Sequence, residues 1–313
     1  MLGPAVLLAT VAAGCVPAAA ALAAARWPRR SPATAIVLWQ ALGLGWGLAA
    51  VGALISVSVT SHRSGVAAGA VTQAARLLGV RPGPPPDVGS VPAAGRLAAL
   101  VAGTILLLLL CWVLVSAFAV VMRARQRQRA LLCLLAHGDP KVPGALVVDH
   151  PMAAAYCVPG LRSQIVISAG ALDLLDSAEL AAVLAHERAH LRERHDLVLL
   201  PFTALLRAFR WARIARDAYQ AVALLVEMHA DDRALRQRPA RELATALLRV
   251  GAAGGGLAPS GTLASVAAEC EVAARVTRLL RPAPGLSAAA IVLICAVAAI
   301  VVSVPAAVLL VPM

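Results

Sequence analysis

Four stretches of this chain, residues 1–25, 31–62, 97–122 and 282–313, contain no Lys, Arg, Asp or Glu. Each can hold the roughly 20 apolar residues that cross a hydrocarbon core of about 30 Å, and spans are expected near 3–25, 34–58, 97–122 and 287–311. Composition agrees, because 60% of the 313 residues are hydrophobic and only 14% are charged. A soluble domain carries about a quarter charged residues, so a soluble enzyme is excluded, and apolar content this high also excludes a disordered regulator. The six cysteines make no disulfide framework. Cys15, Cys111 and Cys295 sit in apolar runs, while Cys133, Cys157 and Cys270 stand far apart with no C-x-x-C pair, so they read as reduced packing residues.

The net charge of +12 is almost all arginine, with Lys141 the only lysine. A basic balance suits nucleic acid or a membrane surface, and the placement of the charges selects the membrane; no direct nucleic-acid binding is expected. The first apolar run lacks the basic n-region of a signal peptide, and its charges, Arg26, Arg29 and Arg30, follow it. That order predicts an anchor with its N-terminus outside. Loop 26–33 is then cytoplasmic, and Arg123, Arg125, Arg127 and Arg129 follow the third span on the same side. Arg275, Arg278 and Arg281 flank the last span there too. Loop 59–96 is then extracytoplasmic although it holds Arg63, Arg76, Arg81 and Arg96 against Asp87. Its stretch 82–92, rich in Pro and Gly, reads as a disordered linker.

Between the third and fourth spans, segment 123–283 holds every acidic residue except Asp87 and six of the seven histidines. At about 160 residues it can bury its own core. Residues 123–136 continue the third helix as a basic extension that His137-Gly138-Asp139-Pro140 breaks. Strands are expected at Ala145–Val148, Ala154–Val158 and Gln164–Ser168. Asp176 or Ser177 then caps a helix with Glu179 in its first turn, where a negative charge suits the helix dipole.

That helix carries His186-Glu187-Arg188-Ala189-His190, the spacing H-E-x-x-H. Residues four apart share a helix face, so both imidazoles can reach one ion, and Glu187 sits where it can take a proton from water. A catalytic zinc takes three protein ligands and keeps one position open. Glu227-Met228-His229-Ala230-Asp231 offers the third: Glu227 and Asp231 are again four apart, a ligand and a carboxylate that can orient an imidazole. His229, two positions from Glu227, is expected to point away. His195 competes as ligand, but it lies five residues after His190 with no intervening Gly, whereas the three-histidine signature places its third histidine six after with one. One zinc ion is expected, with cobalt and manganese not separated from it by affinity alone. No residue is assigned to the oxyanion, with Tyr219 and His195 as the candidates.

Ala155-Tyr156-Cys157-Val158-Pro159-Gly160, Ile165-Val166-Ile167-Ser168-Ala169-Gly170, the H-E-x-x-H run with Arg194-His195-Asp196, and Glu227–Asp231 together resemble the BlaR/MecR-type membrane metallopeptidases. The similarity covers the domain and the four-span layout. HtpX and CAAX-prenyl-type membrane proteases share the HExxH and ExxxD elements, and the order of three spans before the domain and one after it favours the BlaR/MecR type. The resemblance implies a mainly α, polytopic protein of the bacterial plasma membrane. Both termini would be extracytoplasmic, with a cytoplasmic α+β gluzincin-type domain between the third and fourth spans. It implies regulated cleavage of a winged-helix repressor of the BlaI/MecI kind, with the bilayer as the other partner. The best-known members carry a penicillin-binding sensor after the fourth span; this chain ends at Met313, and that sensor is expected to be absent. The alternatives are a quality-control protease of the HtpX kind and a non-catalytic receptor or scaffold. Glu187 argues against the last, because a structural zinc site has four closed ligands and needs no general base.

On this reading zinc is held by His186, His190 and Glu227, Glu187 is the general base, and Asp231 fixes an imidazole. Ala155, Tyr156 and Cys157 lie on the strand that resembles the substrate-pairing edge of related proteases; the competing reading is an ordinary core strand. Arg207, Arg210, Arg213 and Arg216 recur every three residues on what reads as one helix. Its Phe209 and Trp211 can enter the lipid boundary, or the arginines can form a solvated face. Gly251–Gly256, near Pro259, reads as a flexible connection and not a phosphate loop, since no strand leads into it and no G-K-[ST] follows.

Overall fold

The computed structural model describes residues 3–59, 69, 71, 75, 92–140, 142–159, 163–253 and 262–310. Most of the expected loop 59–96, with Arg63, Arg76, Arg81 and Asp87, lies outside these residues, as do 254–261 of the glycine-rich connection.

Among the described residues, four helices are long and apolar enough to cross a membrane: α1 (Gly3–Ala24), α2 (Pro32–Ser58), α3 (Ala93–Leu135) and α10 (Ala288–Leu310). Their charge-free stretches are apolar on every face, as lipid-facing helices require. A 3-10 turn, Trp27–Arg30, joins α1 to α2, and glycines set how closely α2 meets its neighbours. A Cβ on Gly45 would stand 2.5 Å from Val301 Cγ1 and 2.7 Å from the Val301 carbonyl oxygen, so α10 lies on α2 backbone to backbone. The third helix continues past residue 122 as the sequence suggests, running through its arginines to Leu135 as one element of 43 residues.

The chain then forms β1 (Ala136–Gly138), β2 (Ala145–Val148), β3 (Ala155–Val158) and β4 (Gln164–Ser168). The sheet order is β1-β2-β4-β3, with β2 and β4 parallel and the outer pairs antiparallel. Three strands sit where sequence patterning puts them; β1, three residues long, has no pattern to announce it. Alternation gives the sheet two faces. Val147, Ile165 and Ile167 pack with Val142 and Leu184 on one, and Val158 and Val166 pack with Leu132 of α3 on the other.

The remaining helices are α4 (Ala169–Leu174), α5 (Ser177–Arg192), α6 (His195–Ala208), α7 (Arg213–Ala234), α8 (Ala240–Ala252) and α9 (Thr262–Leu280). Gly170 in α4 lies so close to the Pro151 carbonyl that a Cβ would overlap it. The α5 cap is a full capping box. Asp176 Oδ1 accepts from Ala178 N and Glu179 N, both at 2.9 Å, and Glu179 Oε2 accepts from Asp176 N at 3.1 Å. Ala182 and Ala185 of α5 pack against Ala234, Leu243 and Val276, so α7, α8 and α9 form one core behind it.

The arginines at 207–216 do not share one helix. The α6 helix ends at Ala208, Phe209–Ala212 reverse the chain, and α7 begins at Arg213. The reversal lets Phe202 of α6 and Ala218 and Val222 of α7 bury against Trp39 and Leu42 of α2. One straight helix would leave one of those faces uncovered.

Candidate metal centre

Helix α5 supplies the first two side chains. His186 and His190 project from the same face, with their Nε2 atoms 3.1 Å apart. From α7, Glu227 brings Oε2 to 3.3 Å from His186 Nε2 and Oε1 to 3.5 Å from His190 Nε2. Among the described residues these three side chains form a group able to hold a metal ion, their ligand atoms within 4.8 Å of one another. The donors fit zinc, since bonds of about 2.0–2.1 Å in a tetrahedral shell set ligand atoms roughly 3.3–3.4 Å apart. Glu227 Oε2 is also buried without a well-formed hydrogen bond, although Arg275 Nη1 approaches it at 2.9 Å.

A second layer orients these groups. His186 Nδ1 lies 3.0 Å from Asp231 Oδ1. His190 Nδ1 lies 3.0 Å from Nδ1 of His195. With His190 Nε2 turned to an ion, its Nδ1 carries the proton and His195 Nδ1 accepts it. His195 is brought there by Arg194, a non-glycine residue in the left-handed region (φ 52°) that turns the chain between α5 and α6. His229 lies off the ligand group, its ring 5.5 Å from His195 and its Nε2 3.8 Å from Glu193. Tyr219 packs in the apolar cluster with α1 and α2, away from the centre.

Arg275 on α9 is the residue that sequence patterning misses. It is 5% exposed, donates to both Asp231 oxygens, Nε to Oδ2 at 2.9 Å and Nη2 to Oδ1 at 2.7 Å, and also touches Glu227. Read as a flank of the last span, it is instead the counter-charge of the centre. Arg278 likewise turns inward, to Asp232 Oδ2 at 2.8 Å and the Arg29 carbonyl at 2.7 Å. The only sequence signal for this is that an arginine three residues before another can lie on the buried face of its helix.

Charge and burial set the protonation pattern. Burial works to raise Glu227 and Asp231, but the close approach of His186 and His190, at 3.3 and 3.5 Å, and the Arg275 charge hold Glu227 well below the usual carboxylate range. The Arg275 charge and His186 lower Asp231. Burial would lower His186, yet Asp231 and Glu227 outweigh it and bring it to about 9 in the metal-free protein. Glu187 is raised by burial against the opposing pull of His186 and His190, as a general base needs. His195 is pushed down to about 3 by burial and the neighbouring imidazoles and is neutral at physiological pH. Burial and the adjacent Glu187 push the Cys157 thiol up to about 12, so it stays protonated and hydrogen-bonded to Glu187.

Strand β3 lies at the sheet edge beside this group. Cys157 and Pro159 join His190, His195 and Glu227 around a cleft of about 210 Å³. Ala155 lines a smaller apolar recess that reaches His186 and Glu187. Tyr156 points to the other face, against Leu132, Val158 and Val166. Of the three strand residues singled out from sequence, Ala155 and Cys157 face the centre and Tyr156 does not.

Comparison with curated proteins gives no match, and comparison with solved structures gives none. The sequence model of peptidase family M48 matches residues 121–251, from the end of α3 through the sheet and both ligand helices into α8. The segment that assembles His186, His190 and Glu227 lies within that match, and its His-His-Glu group is compatible with the zinc chemistry of M48 peptidases.

Proposed function

We propose that this chain is a membrane-embedded zinc endopeptidase that cuts a protein substrate in signal transduction, the substrate being a cytoplasmic winged-helix repressor of the BlaI/MecI kind. The observation that carries the peptidase reading is the convergence of three ligand side chains with a buried Glu187 beside an open sheet edge. The regulatory reading is supported by the BlaR/MecR resemblance and by a layout of three apolar helices before the domain and one after it. The arginines around 26–30 and 123–129 support a cytoplasmic domain in a bacterial plasma membrane.

In this reading His186, His190 and Glu227 hold zinc, which when bound acidifies a water and polarises the scissile carbonyl. An extended substrate pairs with the free edge of β3 as an added strand. Glu187 accepts the proton from water and hands it to the leaving amine. Asp231 keeps His186 oriented and His195 keeps His190 oriented through their second ring nitrogens.

The test compares new protein N-termini in native-host cells carrying the wild-type chain or Glu187→Gln, with and without cell-wall stress. A single Glu187-dependent cut in a winged-helix repressor is expected. Cuts spread over many membrane proteins would replace this reading with quality control of the HtpX kind. No cut that depends on Glu187 would end the peptidase reading.

A further inference from the structure

The α6–α7 hairpin joins the two halves of the metal centre, and its position along the spans can be read from packing. On the antiparallel pair α2 and α3, Gly47 faces Leu110 and Gly103 faces Leu54 and Ile55. The same register carried along the pair sets Arg125 level with Pro32, at the end of the bundle where Arg26, Arg29, Arg30 and Arg123 gather. Asp196, the second residue of α6, pairs with Arg125 at 2.6 Å, so α6 starts at that boundary.

From there its contacts run inward. Gln40, about 12 Å along α2 from Pro32, donates to the Val198 carbonyl at 2.8 Å. The Trp39 ring meets Phe202 edge-on at 6.2 Å. Ala218, Val222, Leu225 and Val226 of α7 share one core with Cys15 and Leu22 of α1 and Ile36 and Leu42 of α2. The chemistry of the hairpin suits lipid. Residues 197–206 carry no charge, and Thr203 Oγ1 donates within its own helix to the Leu199 carbonyl. At the tip Trp211 is 79% exposed, and Arg207, Arg210, Arg213 and Arg216 are exposed around it. Trp211 and the aliphatic stems of these arginines offer apolar surface to hydrocarbon at the tip.

We infer that α6 and α7 form a re-entrant hairpin inserted into the bilayer against α1, α2 and α3, with Phe209–Ala212 in lipid. The lipid then fixes the metal centre at the membrane boundary, because His195 opens the inserted helix and its ring holds His190. This inference rests on the multi-pass reading and is independent of the peptidase reading.

The test places an environment-sensitive fluorescent amino acid in the full chain, in nanodiscs of phosphatidylcholine and phosphatidylglycerol, in place of Trp211. Matching chains carry it in place of Ile105, exposed on α3, or Met152, exposed beside the sheet. Lipids brominated on the acyl chain are expected to quench position 211 by the same fold as position 105, with iodide quenching neither, and the reverse at 152. Position 211 behaving like 152 while 105 is quenched by lipid overturns the inference. Iodide quenching at 105 would instead overturn the multi-pass reading, and the inference with it. A chain labelled in place of Phe209 gives a second reading of the tip, and zinc retention in each labelled chain shows that it is folded.

Discussion

Arg275 grips Asp231 through two parallel hydrogen bonds, at 2.9 and 2.7 Å, while the same carboxylate stands 3.0 Å from His186 Nδ1. One buried cation therefore holds the group that orients a metal ligand. Asp231→Ala removes this anion and leaves Arg275 facing Glu227, with Glu271 one turn back on α9. It is expected to cost about 3–5 kcal/mol in stability and roughly tenfold or more in zinc affinity. A double change, Asp231→Leu with Arg275→Met, should recover much of the stability and none of the affinity. Thermal melts and competitive zinc titration in detergent measure the two separately.

Glu187→Gln keeps the size and burial of the side chain and removes the base. Zinc content and melting temperature should match the wild type, while peptide hydrolysis falls by about 100-fold or more. Hydrolysis at the wild-type rate would rule out Glu187 as the base.

His195 lies outside the candidate ligand group, with its Nδ1 3.0 Å from His190 Nδ1. His195→Phe keeps a planar ring at this buried site without an acceptor, and zinc affinity should drop by about tenfold with the fold intact. Unchanged affinity would show that His190 is held by its packing alone.

Protonation gives the metal-free protein a two-sided pH profile. His186 stands at about 9 when folded, above its ordinary value of about 6.5, so its contribution is complete below about 6.5 and is lost as pH rises through 9. Asp231 and Glu227 are depressed, so theirs is present above the ordinary carboxylate range and is lost on acidification. Zinc binding requires His186 without its extra proton. The alkaline loss should thus appear in melts of chelator-treated protein and vanish in zinc-loaded protein.

Gly45 lets α2 and α10 touch at Val301. Gly45→Val is expected to destabilise this pair by about 1–3 kcal/mol, the usual cost of overpacking. Trypsin sensitivity of the chain in nanodiscs should rise accordingly.

Legibility in the sequence followed the range of the interaction. The spans, the Asp176 cap and the shared face of His186 and His190 depend on residues within a few positions of one another, and all appear as patterns. Glu227 and Asp231 were readable as a pair because their spacing is also local, although their meeting with α5 is not. Arg275 lies far along the chain from Asp231, and no periodicity records an ion pair of that separation. The reversal at Phe209–Ala212 has no Gly or Pro to mark it; it exists because α6 and α7 bury against α1 and α2. Tyr156 and Cys157 are neighbours in sequence, and only the pleat of β3 sends them to opposite faces.

The unbroken helix α3 has 43 residues, about 65 Å of rod, and its last turn packs on the sheet through Leu132. Near that end Arg129 Nη2 donates to the Pro159 carbonyl at 3.1 Å, immediately after β3. A lever of that length converts angle into travel: one degree of tilt about the far end moves the near end by about 1 Å. Whatever leans on α3 at its Ala93 end would therefore slide the strand beside Glu187 by a distance comparable to a hydrogen-bond mismatch.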